Sequence, residues 1–326
     1  MVELIVPEGP YFRKREIILQ SETDMEMNRI LWATDGSGEA ELALEYAKYI
    51  ARLSGAEIIG VHVIPLPVQL LFESLREEDE KFHEWQSGVE RRVSDRFVEV
   101  RNELLHLGIK FDGVILKGIP SDKIREFSRL RKADIIVMGK QGHGIIESMM
   151  VGSETVKVLK SSHIPVLAVK RTGPGNDIKI SKIIVPIDLA DENETALDYA
   201  LGLSGLTGAD VTAVYALRLD MYAQDMPAGA LDIVIKQSAK ELRERVDRIK
   251  DKYESGHGVT PISGIKTEVI HGLSPAISIA NYASRQHADL IVINTHARTG
   301  LKRLVLGSVT ERLIPEAPCS VLSLRP

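Results

Sequence analysis

The chain has 326 residues, 44% of them hydrophobic and 27% charged, enough for two domains of ordinary size with real cores and too apolar for a disordered tail. A formal net charge of −5 argues against broad binding to nucleic acid or anionic membrane. The single cysteine, Cys319, excludes an internal disulfide and, lying in an apolar run, reads as a packed, inert thiol. The apolar stretch from Val63 to Phe72 is short and broken by Pro65 and Pro67, so no membrane span is expected. Glu3, Glu8 and Arg13 interrupt any signal-peptide layout, and a soluble cytoplasmic protein is the expectation.

Residues 1–27 lie outside the pattern that follows, and Ile17-Ile18-Leu19 within them reads either as an added strand or as a contact for a partner. Arg29 to Thr34 is the first predicted strand, and Ala40 to Leu53 carries apolar residues at helical spacing. Glu57 to Ile64 is a β-rich run. Val89, Val93, Phe97, Val100 and Leu104 step by four, four, three and four, which lines one face of a helix. Val114 to Leu116 is a short strand, and Ser121 to Leu130 a helix with Ser121 as the expected N-cap. Ile135 to Met138 is a wholly apolar strand, Glu154 to Lys160 is helical, and Val166 to Val169 closes the unit.

The unit is then written a second time. Ala133-Asp134-Ile135-Ile136-Val137 recurs 155 positions later as Ala288-Asp289-Leu290-Ile291-Val292, and Gly152-Ser153 and Val166-Leu167 recur at the same offset. Asp35 and Ala56 recur as Asp188 and Ala209, 153 positions on. The Gly/Pro-containing run 171–179 marks the boundary, giving an extension (1–27), a first domain (28–170), a linker (171–179) and a second domain (180–326). Apolar strands alternating with amphipathic helices indicate an α/β fold. We expect two doubly wound domains, each with a five-stranded parallel sheet covered on both faces.

Ligands of such sheets bind beyond the strand C-termini, where the strand order reverses. Three predicted strands converge there, ending at Ala33-Thr34-Asp35, at Val63 and at Met138-Gly139. Asp35 reads either as an acceptor for ribose hydroxyls or an adenine amine, or as a cap for the following helix. Val63 and Met138 read either as an apolar slot for a base or as ordinary core. After Met138 the glycines fall at set intervals: Gly139, then Gly142 after two intervening residues, then Gly152-Ser153 after nine more. Glycines here let backbone approach a ligand, and the loop Gly142-His143-Gly144 would wrap phosphates. Ser153, Glu154 and Thr155 would offer helix N-terminal N–H groups and two hydroxyls to a phosphate.

Competing signatures are missing from the sequence: there is no G-x-x-x-x-G-K-[ST], no third glycine after Gly36-Ser37-Gly38, no H-E-x-x-H and no assembled Ser/His/Asp set. For a slow ATPase or phosphotransferase, Glu147 and Glu154 lie near enough to the loop in sequence to be considered as the base, but each reads first as a solvated surface carboxylate.

The Gly-x2-Gly-x9-Gly-Ser spacing after the fourth strand, with an aspartate ending the first, resembles the universal stress protein family and its tandem members, over about residues 28–170 and 180–326. The resemblance implies a Rossmann-like fold of the adenine-nucleotide α-hydrolase type. It implies ATP or AMP as ligand, magnesium accompanying ATP, and dimers formed through the last strand. Ala33, Thr34, Asp35 and Val63 would hold adenosine. Met138, Gly139, Gly142, Gly152 and Ser153 would hold ribose and phosphates, with His143, Gly144, Glu154 and Thr155 beside them. In a tandem chain the last strands, near 165–170 and 318–324, would pair with each other as an internal pseudo-dimer.

The second half departs from the pattern. Pro186, Ile187, Asp188, Ala216, Gly307, Ser308, Val309 and Thr310 occupy the matching positions, but Asn294 and Ala297 replace the first two glycines. Asn tolerates left-handed backbone, whereas the Ala297 methyl stands where backbone should approach. Arg298, Lys302 and Arg303 add positive charge. The expectation is a non-enzymatic adenine-nucleotide sensor with an intact first site, an altered second site, an unidentified protein partner and a homodimeric assembly. An interaction module that needs no nucleotide is the third reading.

Overall fold

A computed structural model describes residues 25–65, 80–140, 152–171, 178–191, 193–219, 229–257, 264–295 and 307–325. These residues form ten strands and eight helices. In the first half they run β1 (Arg29–Thr34), α1 (Gly38–Ser54), β2 (Glu57–Pro65), α2 (Glu80–His106), β3 (Phe111–Gly118), α3 (Pro120–Leu130), β4 (Ile135–Gly139), α4 (Ser153–Ser161) and β5 (Val166–Val169). The second half repeats the order as β6 (Lys182–Pro186), α5 (Thr195–Thr207), β7 (Asp210–Arg218), α6 (Ala230–His257), β8 (Lys266–Gly272), α7 (Pro275–Gln286), β9 (Leu290–Asn294), α8 (Ser308–Glu316) and β10 (Ser320–Leu324).

The ten strands lie in one sheet in the order β3-β2-β1-β4-β5-β10-β9-β6-β7-β8. Each half is five parallel strands, and the halves meet where β5 and β10 pair antiparallel, Leu322 opposite Leu167. The pairing of last strands expected from the sequence is therefore present. Side chains seal the seam as well: the Ser320 hydroxyl donates to Tyr46 Oη at 3.1 Å and accepts from the Lys170 N–H at 3.1 Å. At the other end of the first half, Met27 is buried and Met25 lies against Gly202 of α5, so the residues just before β1 pack onto the second half. The run Ile17-Ile18-Leu19 lies outside the described residues.

Two apolar layers cover the sheet. One holds Trp32 with residues of α1, α2, α5 and α6, and the other holds Ile136 and Ile291 with residues of α3, α4, α7 and α8. Phe97 of α2 sits edge-on between Trp32 and Phe111, with ring centroids 6.1 and 5.8 Å away. The sheet makes room for it with paired glycines: Gly60 and Gly113 are register partners, and a Cβ on Gly113 would stand 2.5 Å from Phe97 Cδ2. This explains why β3 extends over eight residues although only Val114 to Leu116 signals a strand in the sequence. Burial pushes the Cys319 thiol up to about 12, so it is a protonated packing group.

The repeated Ala-Asp pair has a structural explanation. Asp134 accepts from the N–H groups of Asn28 and Arg29 at 2.7 and 2.8 Å, and Asp289 from those of Ser181 and Lys182 at 2.8 and 3.0 Å. Each carboxylate thus pins the start of the first strand of its half beside the strand it precedes. Asp289→Ala orphans two backbone donors and is expected to lower stability by about 2 kcal/mol in urea unfolding.

Candidate functional site

Strand order reverses between β1 and β4 in the first half and between β6 and β9 in the second, so each half has a crevice at these strand ends. In the first crevice the turn after β1 is built locally. The Thr34 hydroxyl accepts from Gly36 N–H at 3.1 Å, Asp35 Oδ1 from Ser37 N–H at 3.0 Å, and Ser37 Oγ from Ala40 N–H at 3.2 Å. Gly36 takes φ 81°, which glycine adopts without strain. The N-cap of α1 is therefore Ser37, and the capping reading of Asp35 is corrected: its carboxylate shapes the turn. Behind it, His62 is buried and its Nδ1 meets the Thr34 carbonyl at 2.9 Å. Burial lowers its pKa, so a neutral imidazole donates that bond.

Ala33, Val63 and Met138 are buried within the α3–α4 layer, directly beneath the crevice. The start of α4 is fixed by two bonds: Gly152 N–H to the Lys140 carbonyl at 2.8 Å and the Thr155 hydroxyl to the Gly139 carbonyl at 2.9 Å. The first-turn threonine thus secures the strand end, with Ser153 at the first helical position. Gly142, His143, Gly144 and Glu147 lie outside the described residues.

Two further expectations are corrected nearby. Helix α3 begins at Pro120, so Ser121 is not its N-cap; its N–H donates instead to Glu154 Oε2 at 2.9 Å. Glu154 is accordingly a cap across two helices rather than a solvated carboxylate, its other oxygen bonded to Lys157 at 2.6 Å. Burial raises its pKa, but Lys157 and Ser121 outweigh burial and hold it below the ordinary value.

The second crevice contains a cavity of about 230 Å³. Its walls include Pro186, Ile187, Asp188, Ala216, Asn294, Val309 and Thr310, seven of the positions singled out from the sequence. Gly307 and Ser308 begin α8 beside them, and Ala297, Arg298, Lys302 and Arg303 lie outside the described residues. The helix start repeats the first half: Gly307 N–H to the Thr295 carbonyl at 2.8 Å, and the Thr310 hydroxyl to the Asn294 carbonyl at 2.9 Å. Asp188 again shapes its turn, accepting from Ala190 N–H at 3.0 Å.

Sequence reasoning missed several walls of this cavity. Tyr215 and Arg218 from β7, Pro275 and Ile279 from α7, and Asp191 and Asn193 from the turn after β6 all line it. It also missed Arg245, buried on α6, whose guanidinium holds that turn through the carbonyls of Asp188 (3.1 Å) and Asp191. Tyr215 and Ala216 follow His62 and Val63 by 153 residues, the offset that already related Asp35 to Asp188 and could have found Tyr215.

Lys140, next to the first crevice, reaches the other half. Its buried ammonium donates to the carbonyls of Ala317 (3.0 Å) and Pro315 (3.3 Å) at the C-terminal end of α8, and Lys170 joins it on Ala317 at 3.1 Å. Cations are favoured at a helix C-terminus. Burial, reinforced by Lys170, nevertheless brings the Lys140 pKa from 10.5 down to about 8. Between those values the unfolded chain binds the proton and the folded chain does not, so this group makes stability rise with pH across that window. The stability of the wild type relative to Lys140→Met is expected to rise by about 3 kcal/mol as pH goes from 8 to 10.5. Urea unfolding of both proteins at the two pH values checks it.

The family model for the universal stress protein family matches residues 26–170 and again 179–325. Universal stress protein MJ0531 of Methanocaldococcus jannaschii is 33% identical over 144 residues, which are 44% of this chain and 81% of that relative. Universal stress protein Rv2005c of Mycobacterium tuberculosis is 22% identical over 309 residues, covering 91% of this chain and 96% of its own. The crystal structure of a universal stress protein from Archaeoglobus fulgidus shares the fold at TM-score 0.64 and 18% identity, over 92% of this chain and 99% of that one. With both halves matched and nearly the whole length shared, the chain belongs to the universal stress protein family as a tandem, two-domain member.

Proposed function

We propose that this protein binds adenine nucleotide, ATP or AMP, in the crevices at its two strand-order reversals, and reports nucleotide level to a protein partner without turning the nucleotide over. The observation that carries this reading is the second-half cavity, walled in part by seven residues already marked from the sequence. The first crevice has the same backbone frame and the full glycine spacing, and we assign it the same ligand through Thr34, Asp35, Gly139, Gly152 and Ser153. The second is altered rather than lost. Magnesium would arrive with the phosphates of ATP, since among the described residues no three His, Cys, Asp or Glu side chains cluster to hold a metal ion.

Against turnover stands Glu154, whose Oε2 holds the start of α3 through the Ser121 N–H and whose Oε1 accepts from Lys157, so the carboxylate is already engaged rather than poised to deprotonate water. Among the described residues no helix is long and apolar enough to cross a membrane, and we place the protein in the cytoplasm. Because β5 and β10 are spent on each other, a homodimer of this chain would use other surfaces. Mass spectrometry of small molecules released by denaturing freshly purified protein tests the reading. AMP or ATP in near-stoichiometric amount is expected, and protein free of nucleotide that also takes up none at millimolar concentration would overturn it.

A further inference from the structure

We propose that Arg245 is the positioning residue of the second crevice: reaching in from α6, it fixes the turn that carries Asp188 and Asp191 and thereby sets how tightly that crevice holds its ligand. This rests on the nucleotide reading above. In the first half the turn after β1 holds itself, through the Thr34 and Ser37 hydroxyls and a left-handed Gly36. None of these three devices recurs. At the offset that relates Asp35 to Asp188, the second half has Ile187, Ala190 and Leu189 in their places. Its turn is also longer: α1 begins three residues after Asp35, whereas α5 begins seven after Asp188. Bonds from the N–H groups of Ala190, Asn193 and Thr195 to the side chains of Asp188, Asp191 and Asn193 shape this turn step by step, but none of them spans it.

Arg245 does span it. The side chain is buried, and its guanidinium donates to the carbonyls of Asp188 (3.1 Å), Leu189 (3.5 Å) and Asp191. One planar fork thus grips the turn from its first residue to its fourth, which a lysine ammonium cannot do from a single point. Asp188, Asp191 and Asn193 line the cavity, whereas Arg245 is not in its wall. Its bonds go to backbone, so it acts by setting where that wall stands and not by meeting the ligand. In the first half the helix before β3 ties to α1 instead of the turn: Arg96 of α2 donates from Nη2 to Glu41 at 2.6 Å. The first crevice is therefore held by its own turn and the second by a clamp from α6. A wall already fixed in place spares the ligand the cost of ordering it, and that saving appears as affinity.

The test titrates the full chain with AMP, with isoleucine and methionine methyl groups labelled for NMR. Ile279 and Ile293 report the second cavity, and Met138, beneath the first crevice, reports the first. Arg245→Met is expected to weaken AMP about ten-fold at the two isoleucines and to leave the affinity read at Met138 unchanged. Arg245→Lys keeps the charge and loses the fork; it is expected to weaken AMP about three-fold and carries the test where Arg245→Met does not fold. Ile249→Ala, which truncates a fully buried side chain one turn along α6, lowers stability but is expected to keep AMP affinity within about two-fold at all three methyls. Unchanged affinity in both Arg245 variants, or an equal loss in Arg245→Met and Ile249→Ala, overturns the positioning role and leaves the nucleotide site standing. Methyls of Ile279 and Ile293 that do not respond to AMP at millimolar concentration in the wild type overturn the nucleotide reading itself, and the role of Arg245 with it.

Discussion

Gly152→Val is expected to weaken adenine-nucleotide binding in the first crevice by about ten-fold or more without loosening the fold. Gly152 has φ −55° and ψ 139°, extended values that valine adopts readily, so the backbone does not demand glycine. Its N–H bond to Lys140 and its carbonyl bond to Val156 survive the change. What changes is space: a branched side chain stands at the start of α4, where free N–H groups would meet a phosphate. Gly307, at φ −58° and ψ 141°, occupies the matching place before α8, and Gly307→Val is expected to do the same to the second crevice alone. Titration of each variant, with melting curves as control, checks both. Unchanged affinity at unchanged stability would show that phosphates do not approach these helix starts.

Trp32→Ala is expected to cost about 4 kcal/mol of stability, the largest effect of any single truncation proposed here. Trp32 is fully buried in the middle of β1, stacks edge-on with Phe97, and donates from Nε1 to the Ala40 carbonyl at 2.8 Å. The loss therefore combines a large cavity, an aromatic contact and a hydrogen bond. It also bears on function, because the indole ties the first turn of α1 to the strand that ends at Thr34 and Asp35. Denaturant unfolding measures the cost, and a shift within 1 kcal/mol would contradict the packing described for the α1–α2 face.

The fold was legible because its signals are redundant. Strands such as Arg29–Thr34 and Val166–Val169 were readable residue for residue, being apolar runs bounded by polar turns. The repeat then fixed the second half from the first. The extent of β3 was less visible because Phe97 fills the space above Gly60 and Gly113, a contact between segments far apart in sequence. Helix starts were misread for a similar reason. Ser121 looks like a cap, but Pro120 already suits the first helical position and the cap comes from Glu154, 33 residues away.

The candidate site was legible at Asp188, just after a strand end, and at Thr310, in the first turn of a helix, because both stand at positions that the repeat carries over from the first half. It was hidden where the wall is assembled by tertiary packing, as for Arg218, Pro275 and Ile279. The sequence marked Asn294 as a mild departure from glycine. Its carboxamide oxygen is buried without a hydrogen-bond partner, which no spacing rule reveals.

Isothermal titration of the full chain with AMP and with ATP tests the central claim most directly, since it asks whether the strand-end crevices hold adenine nucleotide at all. Saturable binding that falls in Gly152→Val, falls in Gly307→Val, and vanishes in the double variant is the result expected. No heat with ATP, ADP or AMP at millimolar concentration, or binding that persists in the double variant, would contradict it.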